Sequence, residues 1–301
     1  MSVSIPVIVI AGPTASGKTA LSIDLARKLN GEIVSADSMQ IYKYMDIGTA
    51  KPDQAERDGI PHHMMDIVEP WEEYSVAQYS EAARTCMKEI AQRGHMPIVV
   101  GGTGLYISSL VENIRYEDTP TDATLHDELE LFVREKGADA LHARLAICDP
   151  EAAGQIHANN VKRVLRALEM RLVTGLTLEE RNVRSKAGPK EFDFTVYAID
   201  MDRNVLYQRI DRRVGLMAEA GLVEEVRRVS AMGMSRTALQ GIGYKEILEH
   251  FAGKISLEDA LDQIRQGSRN YAKRQLTWFR RPEWVSWKCS EDIRTIYGIS
   301  N

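Results

Sequence analysis

The sequence of 301 residues lacks several features that would place it in a specialised class of protein. It has no apolar run approaching the roughly 18 residues that a membrane-spanning helix needs. Its three cysteines, Cys86, Cys148 and Cys289, lie far apart and form neither a CxxC pair nor a zinc pattern, which is typical of a reducing compartment. No basic segment precedes the first apolar run, so we predict no signal peptide and expect a cytoplasmic location.

The composition that is present is ordinary for a soluble globular protein. Hydrophobic residues make up 44% of the chain and charged residues 27%, and the length suits one large domain or two modest ones. The net charge of −5 argues against general coating by nucleic acid but leaves room for a local basic patch. We expect no membrane partner, and we expect a monomer.

Residues 12–19 match a phosphate-binding loop (P-loop) in its required setting, between an apolar strand pattern and an amphipathic helix pattern. Glycines let several main-chain amides converge on one phosphate, and the helix dipole adds positive potential. Lys18 would add a full charge, and the Thr19 hydroxyl could hold Mg²⁺. A chance match in a tight turn is the alternative. The predicted phosphate-binding residues are Gly12, Pro13, Thr14, Ala15, Ser16, Gly17, Lys18 and Thr19.

An acidic residue follows the second predicted strand. Residues 32–36 predict a buried strand that ends in Asp37, Ser38, Met39 and Gln40. Ligands of open α/β sheets gather at the carboxyl ends of the strands, so Asp37 should lie beside the P-loop. A simple turn or cap aspartate is the alternative.

The third predicted strand, residues 97–100, ends in glycines at 101, 102 and 104. Many P-loop phosphotransferases place an aspartate that orders Mg²⁺ at such a strand end. The glycines would either let the backbone approach a bulky ligand closely or form a compact strand-to-helix turn. Asp37 is therefore the nearest plausible acidic group to the P-loop.

The sequence between residues 115 and 194 has no strand pattern. It has helical patterns at 125–135, 138–147 and 161–173 instead. We interpret this stretch as a helical insertion into an α/β core. Lys162, Arg163 and Arg166 begin its last helix, and the spacing of three puts the two arginines on one face. This basic face either contacts a polyanion or is merely solvated.

Two basic features follow the insertion. The predicted helix 205–220 carries Arg209 and Arg213 one turn apart, as phosphate-closing arginines or as an ordinary surface pair. Between residues 262 and 288 there are seven Lys or Arg against two acidic residues, interleaved with aromatic residues. Such a stretch suits an RNA backbone with stackable bases, or a helix that packs its aromatic residues into the core.

Taken together, the motifs resemble those of the tRNA dimethylallyltransferase family, whose members act on the adenosine immediately 3′ of the anticodon. The resemblance extends over residues 6–281. The P-loop alone is shared by many NTPases, whereas the runs Ala-Asp-Ser-Met-Gln at 36–40 and Ala-Lys-Arg-Gln-x-Thr-Trp at 272–278 are highly specific. Pro61-His62-His63 and Gly243-Tyr244-Lys245-Glu246 complete the pattern. The absence of an appended zinc finger resembles the short bacterial form.

The resemblance implies a catalytic set and a tRNA-contact set. The P-loop would hold the diphosphate of dimethylallyl diphosphate, with Mg²⁺ on Thr19, and Asp37 would be the general base for the adenine amine. Lys18, Thr19, Arg209 and Arg213 would complete the catalytic set. The family often has arginine where His126 aligns, which puts that tRNA contact in doubt. The residues implied in contacts with the tRNA anticodon stem-loop are Asp37, Ser38, Met39, Gln40, Thr103, Lys162, Arg163, Val164, Leu165, Arg166, Gly241, Ile242, Gly243, Tyr244, Lys245 and Glu246.

The sequence thus predicts an α/β fold with a P-loop nucleotide-kinase-like parallel sheet flanked by helices. Residues 1–114 and 195–301 would form the core, the latter with basic C-terminal helices, and residues 115–194 a tRNA-binding helical insertion. A nucleotide or small-molecule kinase on the same fold is the main alternative, and a non-catalytic RNA-binding NTPase is the other.

Overall fold

The computed structural model describes residues 4–116 and 123–299. Contacts divide the described chain into two compact units. We call Met1–Val111 with Lys190–Asn301 the core unit and Glu112–Pro189 the helical unit. The helical unit begins and ends a few residues before the expected insertion of 115–194, because the strand that follows it already starts at Phe192.

The core unit contains a sheet of six strands in the described ranges, ordered β3-β2-β4-β1-β5-β6 with every pairing parallel. The predicted α/β class with a parallel sheet flanked by helices is confirmed. The strands are β1 (Ile5–Ala11), β2 (Gly31–Ser35), β3 (His62–His63), β4 (Met96–Gly101), β5 (Phe192–Ile199) and β6 (Ser286–Lys288).

Helices cover both faces of the sheet. Alternate residues of β1 point to opposite sides, so Val7 and Val9 pack in one apolar cluster while Ile8 and Ile10 pack in another with Leu21. The core-unit helices are α1 (Lys18–Leu29), α2 (Gln54–Arg57), α3 (Val76–Gln92), α4 (Gly104–Val111), α10 (Arg203–Glu219), α11 (Leu222–Ala231), α12 (Tyr244–Phe251), α13 (Leu257–Phe279) and α14 (Ser290–Ile296), with a 3₁₀ turn at Ala238–Gln240.

The helical unit has its own apolar core. Leu129, Leu141, Leu145 and Leu168 are almost fully buried in it. Its helices are α5 (Ala123–Lys136), α6 (Ala138–Cys148), α7 (Pro150–Gln155), α8 (Val161–Thr174) and α9 (Leu178–Lys186). Among the helices of the described ranges, none has the length and apolarity needed to cross a bilayer.

The register of the sheet brings three loops to one edge. Ala11 pairs with Gly101 and with Ala198, and Ser35 pairs with Val100. In a parallel sheet these residues all mark carboxyl ends. The loops after β1, β2 and β4 therefore begin side by side.

A buried carboxylate near the amino end of β2 anchors the opposite edge. Glu32 is 3% exposed and accepts hydrogen bonds from Arg93 Nε and NH2 at 3.2 and 2.8 Å. Its oxygens also lie 2.5 Å from His63 Nε2 and 2.6 Å from His95 Nδ1. Burial by itself raises the pKa of Glu32, but the hydrogen bonds from Arg93, His63 and His95 outweigh it and lower the pKa to about 2. His63 thus has a structural role as a partner of Glu32.

We expect Glu32→Gln to reduce the free energy of unfolding by about 3 kcal/mol at pH 7, because it strips a buried anion from its partners. The pKa of Glu32 in the folded protein is below its ordinary value of 4.5, so the carboxylate stabilises fully above pH 4.5 and less as the pH falls towards 2. Urea unfolding over this pH range measures the difference. The exposed Glu258→Gln is the control, and an equal loss from it would contradict the assignment.

Candidate active site

A cavity of about 710 Å³ opens in the core unit at the carboxyl edge of the sheet. The loops after β1 and β2 and the carboxyl end of β4 line it, together with parts of α10, α13 and the turn before α12. The size suits a small phosphorylated ligand together with part of a second substrate. Its lining residues include Thr14, Lys18, Thr19, Asp37, Gln40, Arg209, Arg213, Tyr271, Arg274 and Gln275.

The loop between β1 and α1 has the shape of an anion cradle. Gly12 and Gly17 have φ angles of 145° and 89°, which L-amino acids with side chains rarely adopt, and Ala15 is also left-handed at 63°. Gly17 is the N-cap of α1 and provides no side-chain cap for the first-turn amides. Those amides and the helix dipole therefore remain available to an anion.

Lys18 lies inside this cradle, where its surroundings disfavour the charged form of the side chain. Its Nζ donates a hydrogen bond to Pro13 O at 2.6 Å. Burial and the neighbouring Arg213 lower the pKa of Lys18 to about 7, against a smaller opposite effect of Asp37. A bound anion would restore the charge, so the site is built to take up negative charge.

Both arginines predicted on α10 reach the cradle. Arg213 NH1 donates to Thr14 Oγ1 at 3.1 Å. Arg209 NH1 would lie 3.7 Å from a Cβ placed on Gly17. Burial lowers the pKa of Arg213, against the attraction of Glu56 and Asp37. The phosphate-closing alternative, rather than a surface pair, therefore agrees with the geometry.

Asp37 lies in the same cavity, at the end of β2. Its Oδ1 accepts a hydrogen bond from Met39 N at 2.9 Å, which closes a tight turn. Ser38 N donates to Thr103 Oγ1 at 3.0 Å, and this bond joins the turn to the loop after β4. Below it, Tyr79 OH donates to Ser35 O at 3.0 Å. The turn that carries the carboxylate is thus held from two sides.

Helix α13 supplies residues that the sequence analysis did not assign to the site. Gln275, 4% exposed, accepts from Thr14 N at 2.9 Å and donates from Nε2 to Gly102 O at 2.9 Å. Burial, with help from Asp37, raises the pKa of Tyr271 to about 12, so its hydroxyl stays protonated. Ser268, Tyr271 and Gln275 share the i, i+3, i+7 spacing of one helical face, a signal that could have identified them.

The same helix explains the glycines after β4. A Cβ on Gly102 would lie 2.0 Å from Gln275 Nε2, and one on Gly104 would lie 2.4 Å from the Trp278 ring. Gly102 and Gly104 therefore admit side chains of α13 rather than a bulky ligand, which agrees with the compact-turn alternative. Gly101, at the end of β4, lines the cavity.

Comparisons with known proteins agree with this geometry. Residues 40–282 match the family described as IPP transferase, and residues 5–70 match the one described as isopentenyl transferase. The chain belongs to the IPP transferase family. The resemblance to tRNA dimethylallyltransferases drawn from the sequence is confirmed.

Relatives and solved structures resemble this chain over most of its length. The tRNA dimethylallyltransferase of Acetivibrio thermocellus is 51% identical over 93% of this chain and 90% of its own. That of Carboxydothermus hydrogenoformans is 47% identical over 98% of both chains. A tRNA isopentenylpyrophosphate transferase structure from Bacillus halodurans has a TM-score of 0.72 at 41% identity, covering 98% of this chain and 95% of its own. A eukaryotic dimethylallyltransferase structure scores 0.79 at 36% identity, covering 92% and 70%.

The residues of the helical unit that are expected to contact RNA fall into two groups, one exposed and one buried. Lys162, Arg163 and Arg166 are exposed on α8. Val164 and Leu165 are 0% and 8% exposed in the core of the unit, so the expectation of RNA contact is wrong for their side chains. They alternate with the basic residues because α8 is amphipathic.

His126 is engaged within the helical unit. Its Nδ1 lies 2.5 Å from Glu169 Oε1, and this bond raises the pKa of the imidazole above its ordinary value. Glu169 also lies 3.5 Å from Arg166 NH1. The doubt about an RNA contact at His126 thus has a physical reason, since the ring already has an acidic partner.

The turn before α12 is partly structural. Glu246 Oε2 accepts from Gly243 N at 2.8 Å, and the buried Tyr244 donates its hydroxyl to Glu225 Oε1 at 2.6 Å. The Tyr244 hydroxyl thus has a structural partner, but the residue also lines the cavity, so the expected tRNA contact of Tyr244 stays a prediction. Gly241 and Ile242 line the cavity, and Lys245 is exposed.

A magnesium site fits the cavity only if substrate completes it. Across the described ranges, no group of three or more His, Cys, Asp or Glu side chains could hold a metal ion. The Thr19 hydroxyl and the Asp37 carboxylate both line the cavity and are hard oxygen donors. Mg²⁺ usually binds through one or two protein oxygens, phosphates and waters, so the residues present suit such an ion.

We expect the binding of inorganic diphosphate at pH 8 to take up nearly one proton, because the free cavity holds Lys18 at a pKa of about 7 and the anion raises it. The loss of the proton from Lys18 in the free protein should by itself weaken diphosphate binding as the pH rises above 7. Calorimetry in two buffers of different ionisation enthalpy measures the uptake. Lys18→Met should abolish it and the exposed Lys28→Met should not; equal uptake by wild type and Lys18→Met would contradict the role.

Proposed function

We propose that this chain transfers the dimethylallyl group from dimethylallyl diphosphate to N6 of the adenosine 3′-adjacent to the anticodon in tRNA, releasing diphosphate. The observation that carries the proposal is that one cavity holds an anion cradle and the carboxylate of Asp37 together. Relatives of the chain are named for this reaction.

The P-loop half of the cavity suits the leaving group. Pyrophosphate gains charge as the bond from C1 to oxygen breaks, and preorganised donors lower the energy of that developing charge. The first-turn amides of α1, the Lys18 ammonium and the guanidinium groups of Arg209 and Arg213 would supply those donors. Mg²⁺ held by Thr19, the diphosphate and water would neutralise further charge.

The Asp37 half of the cavity suits the nucleophile. The lone pair of adenine N6 is delocalised into the ring, so attack on C1 benefits from a carboxylate that accepts the departing proton. The bond from N6 to C1 forms as the bond from C1 to oxygen breaks, and the proton passes to Asp37. A base stacked in the RNA cannot enter a cavity, so the adenine would be flipped out of its stack, where Thr103 and Gln40 would hold it.

The kinase alternative fits less well. The strand end that carries an aspartate in many P-loop phosphotransferases is occupied here by glycines packed against α13. Membership of the IPP transferase family supports the prenyl-transfer reading.

The proposal is tested by incubating the protein with unmodified tRNA, Mg²⁺ and dimethylallyl diphosphate, then digesting the tRNA and weighing its nucleosides. An adenosine heavier by one dimethylallyl group, at the position after the anticodon, is expected. A parallel incubation with ATP in place of the prenyl donor tests the kinase. Phosphate transfer without prenyl transfer would overturn the proposal.

We expect Asp37→Ala to lower turnover by about 10²- to 10⁴-fold while tRNA binding persists, because it removes a proton acceptor. Single-turnover assays and filter binding measure the two quantities. The isosteric Asp37→Asn should lose as much turnover, since an amide is not a base. Comparable loss of tRNA affinity would contradict the assignment of Asp37 as base.

Arg163→Ala and Arg166→Ala should each weaken tRNA binding and reduce the salt slope of log K by about one, because each would release one phosphate contact. Binding titrations from low to high salt measure the slope. Arg134→Ala in the same unit, 75% exposed at its side chain, is the control. A slope that stays unchanged in both variants would remove these arginines from the interface.

A further inference from the structure

Part of the cavity wall is a short loop. Residues 46–50, which we call the wall loop, follow the turn that carries Asp37 and Gln40. Gly48, Thr49 and Ala50 line the cavity. The groups that hydrogen-bond to the peptides of this loop fix where its backbone lies, and therefore where this part of the wall lies.

A single buried carboxylate holds the wall loop. Glu225 on α11 is 2% exposed. Its Oε2 accepts from Asp46 N at 3.0 Å and from Ile47 N at 2.8 Å, and its Oε1 accepts from Gly48 N at 2.9 Å. Three consecutive amides around one anion form a nest, in which each bond is strengthened by the charge.

The same carboxylate fixes a ring against the loop. Glu225 Oε1 also accepts the hydroxyl of Tyr244 at 2.6 Å. A Cβ on Gly48 would lie 2.6 Å from the Tyr244 ring, so loop and ring touch with no room to spare. Any drift of the loop would therefore move an aromatic wall of the cavity as well.

The wall loop in turn holds Gln40. Gln40 Nε2 donates to Thr49 O and to Ala50 O, both at 3.3 Å, and Ser35 Oγ donates to Gln40 Oε1 at 3.1 Å. The Gln40 amide is thereby oriented at the cavity beside Asp37. Glu225 is therefore connected to Gln40, in the Asp37 turn, by hydrogen bonds at both ends of the wall loop and by the backbone between them.

We propose that Glu225 is a positioning residue that sets the shape of the nucleotide side of the cavity through the wall loop and Gln40. The inference rests on the proposed function, in which Gln40 holds the target adenine. It predicts that Glu225 governs handling of the RNA substrate and leaves the diphosphate cradle unaffected, because none of its hydrogen bonds reaches the P-loop.

The test uses Glu225→Gln in the full chain. The amide keeps the shape of the side chain but offers one carbonyl oxygen to four donors, so at least one pair of bonds is lost. We expect amide hydrogen exchange at residues 46–48 to accelerate at least about tenfold and kcat/KM for tRNA to fall about 10- to 100-fold. The Kd for inorganic diphosphate should stay within about twofold of wild type, since its donors are elsewhere.

Glu224→Gln is the matched control, because Glu224 is the neighbour on the same helix with a side chain 71% exposed. It should change none of these quantities. If Glu225→Gln does not fold, Tyr244→Phe carries the test. That variant deletes one hydroxyl and should lower kcat/KM for tRNA by about threefold or more, with unchanged diphosphate affinity.

The outcomes separate the alternatives. Faster exchange at 46–48 with kcat/KM equal to that of Glu224→Gln would overturn the inference and leave Glu225 a purely structural residue. A parallel loss of diphosphate affinity would also overturn it. A wild-type protein that transfers no prenyl group would instead refute the proposed function, while the exchange data would still report whether Glu225 holds the loop.

Discussion

The bridge made by the Gln275 amide is the interaction on which the cavity depends. It accepts from Thr14 N in the loop after β1 and donates to Gly102 O in the loop after β4. Two loops that begin at neighbouring strand ends are thereby locked at a fixed separation by one side chain without net charge. A charged group in its place would compete for the anion or repel it. An amide hydrogen-bonds both backbone partners without adding charge, so that Lys18 can bind the anion.

Opposite charges then divide the cavity into two regions. Lys18 and Arg213 crowd together and each has a lowered pKa, which means that the free protein holds more positive charge than the surroundings favour. Asp37 partly offsets this effect on both. A carboxylate and an anion cradle therefore lie in one cavity as separate groups, because the turn at 37–40 and the P-loop follow different strands.

Much of this architecture could be predicted from the sequence. The P-loop, Asp37 after β2 and the arginines of α10 follow local patterns, and strand polarity alone brings them to one edge. The roles of Gln275 and the glycines after β4 could not be predicted in this way, since they depend on contacts between residues more than 170 positions apart. The side chains of Val164 and Leu165 were misassigned because a motif does not tell which of its members face the core, although the amphipathic spacing of α8 does.

The hydrogen bond from Lys18 Nζ to Pro13 O has one more consequence. In the free protein a peptide oxygen of the loop stands where an oxygen of a phosphate would otherwise be the partner. On the proposed function, loading of the donor would exchange one oxygen partner of Lys18 for another while the lysine stays in place. The cradle would then pass from one catalytic cycle to the next without having to refold.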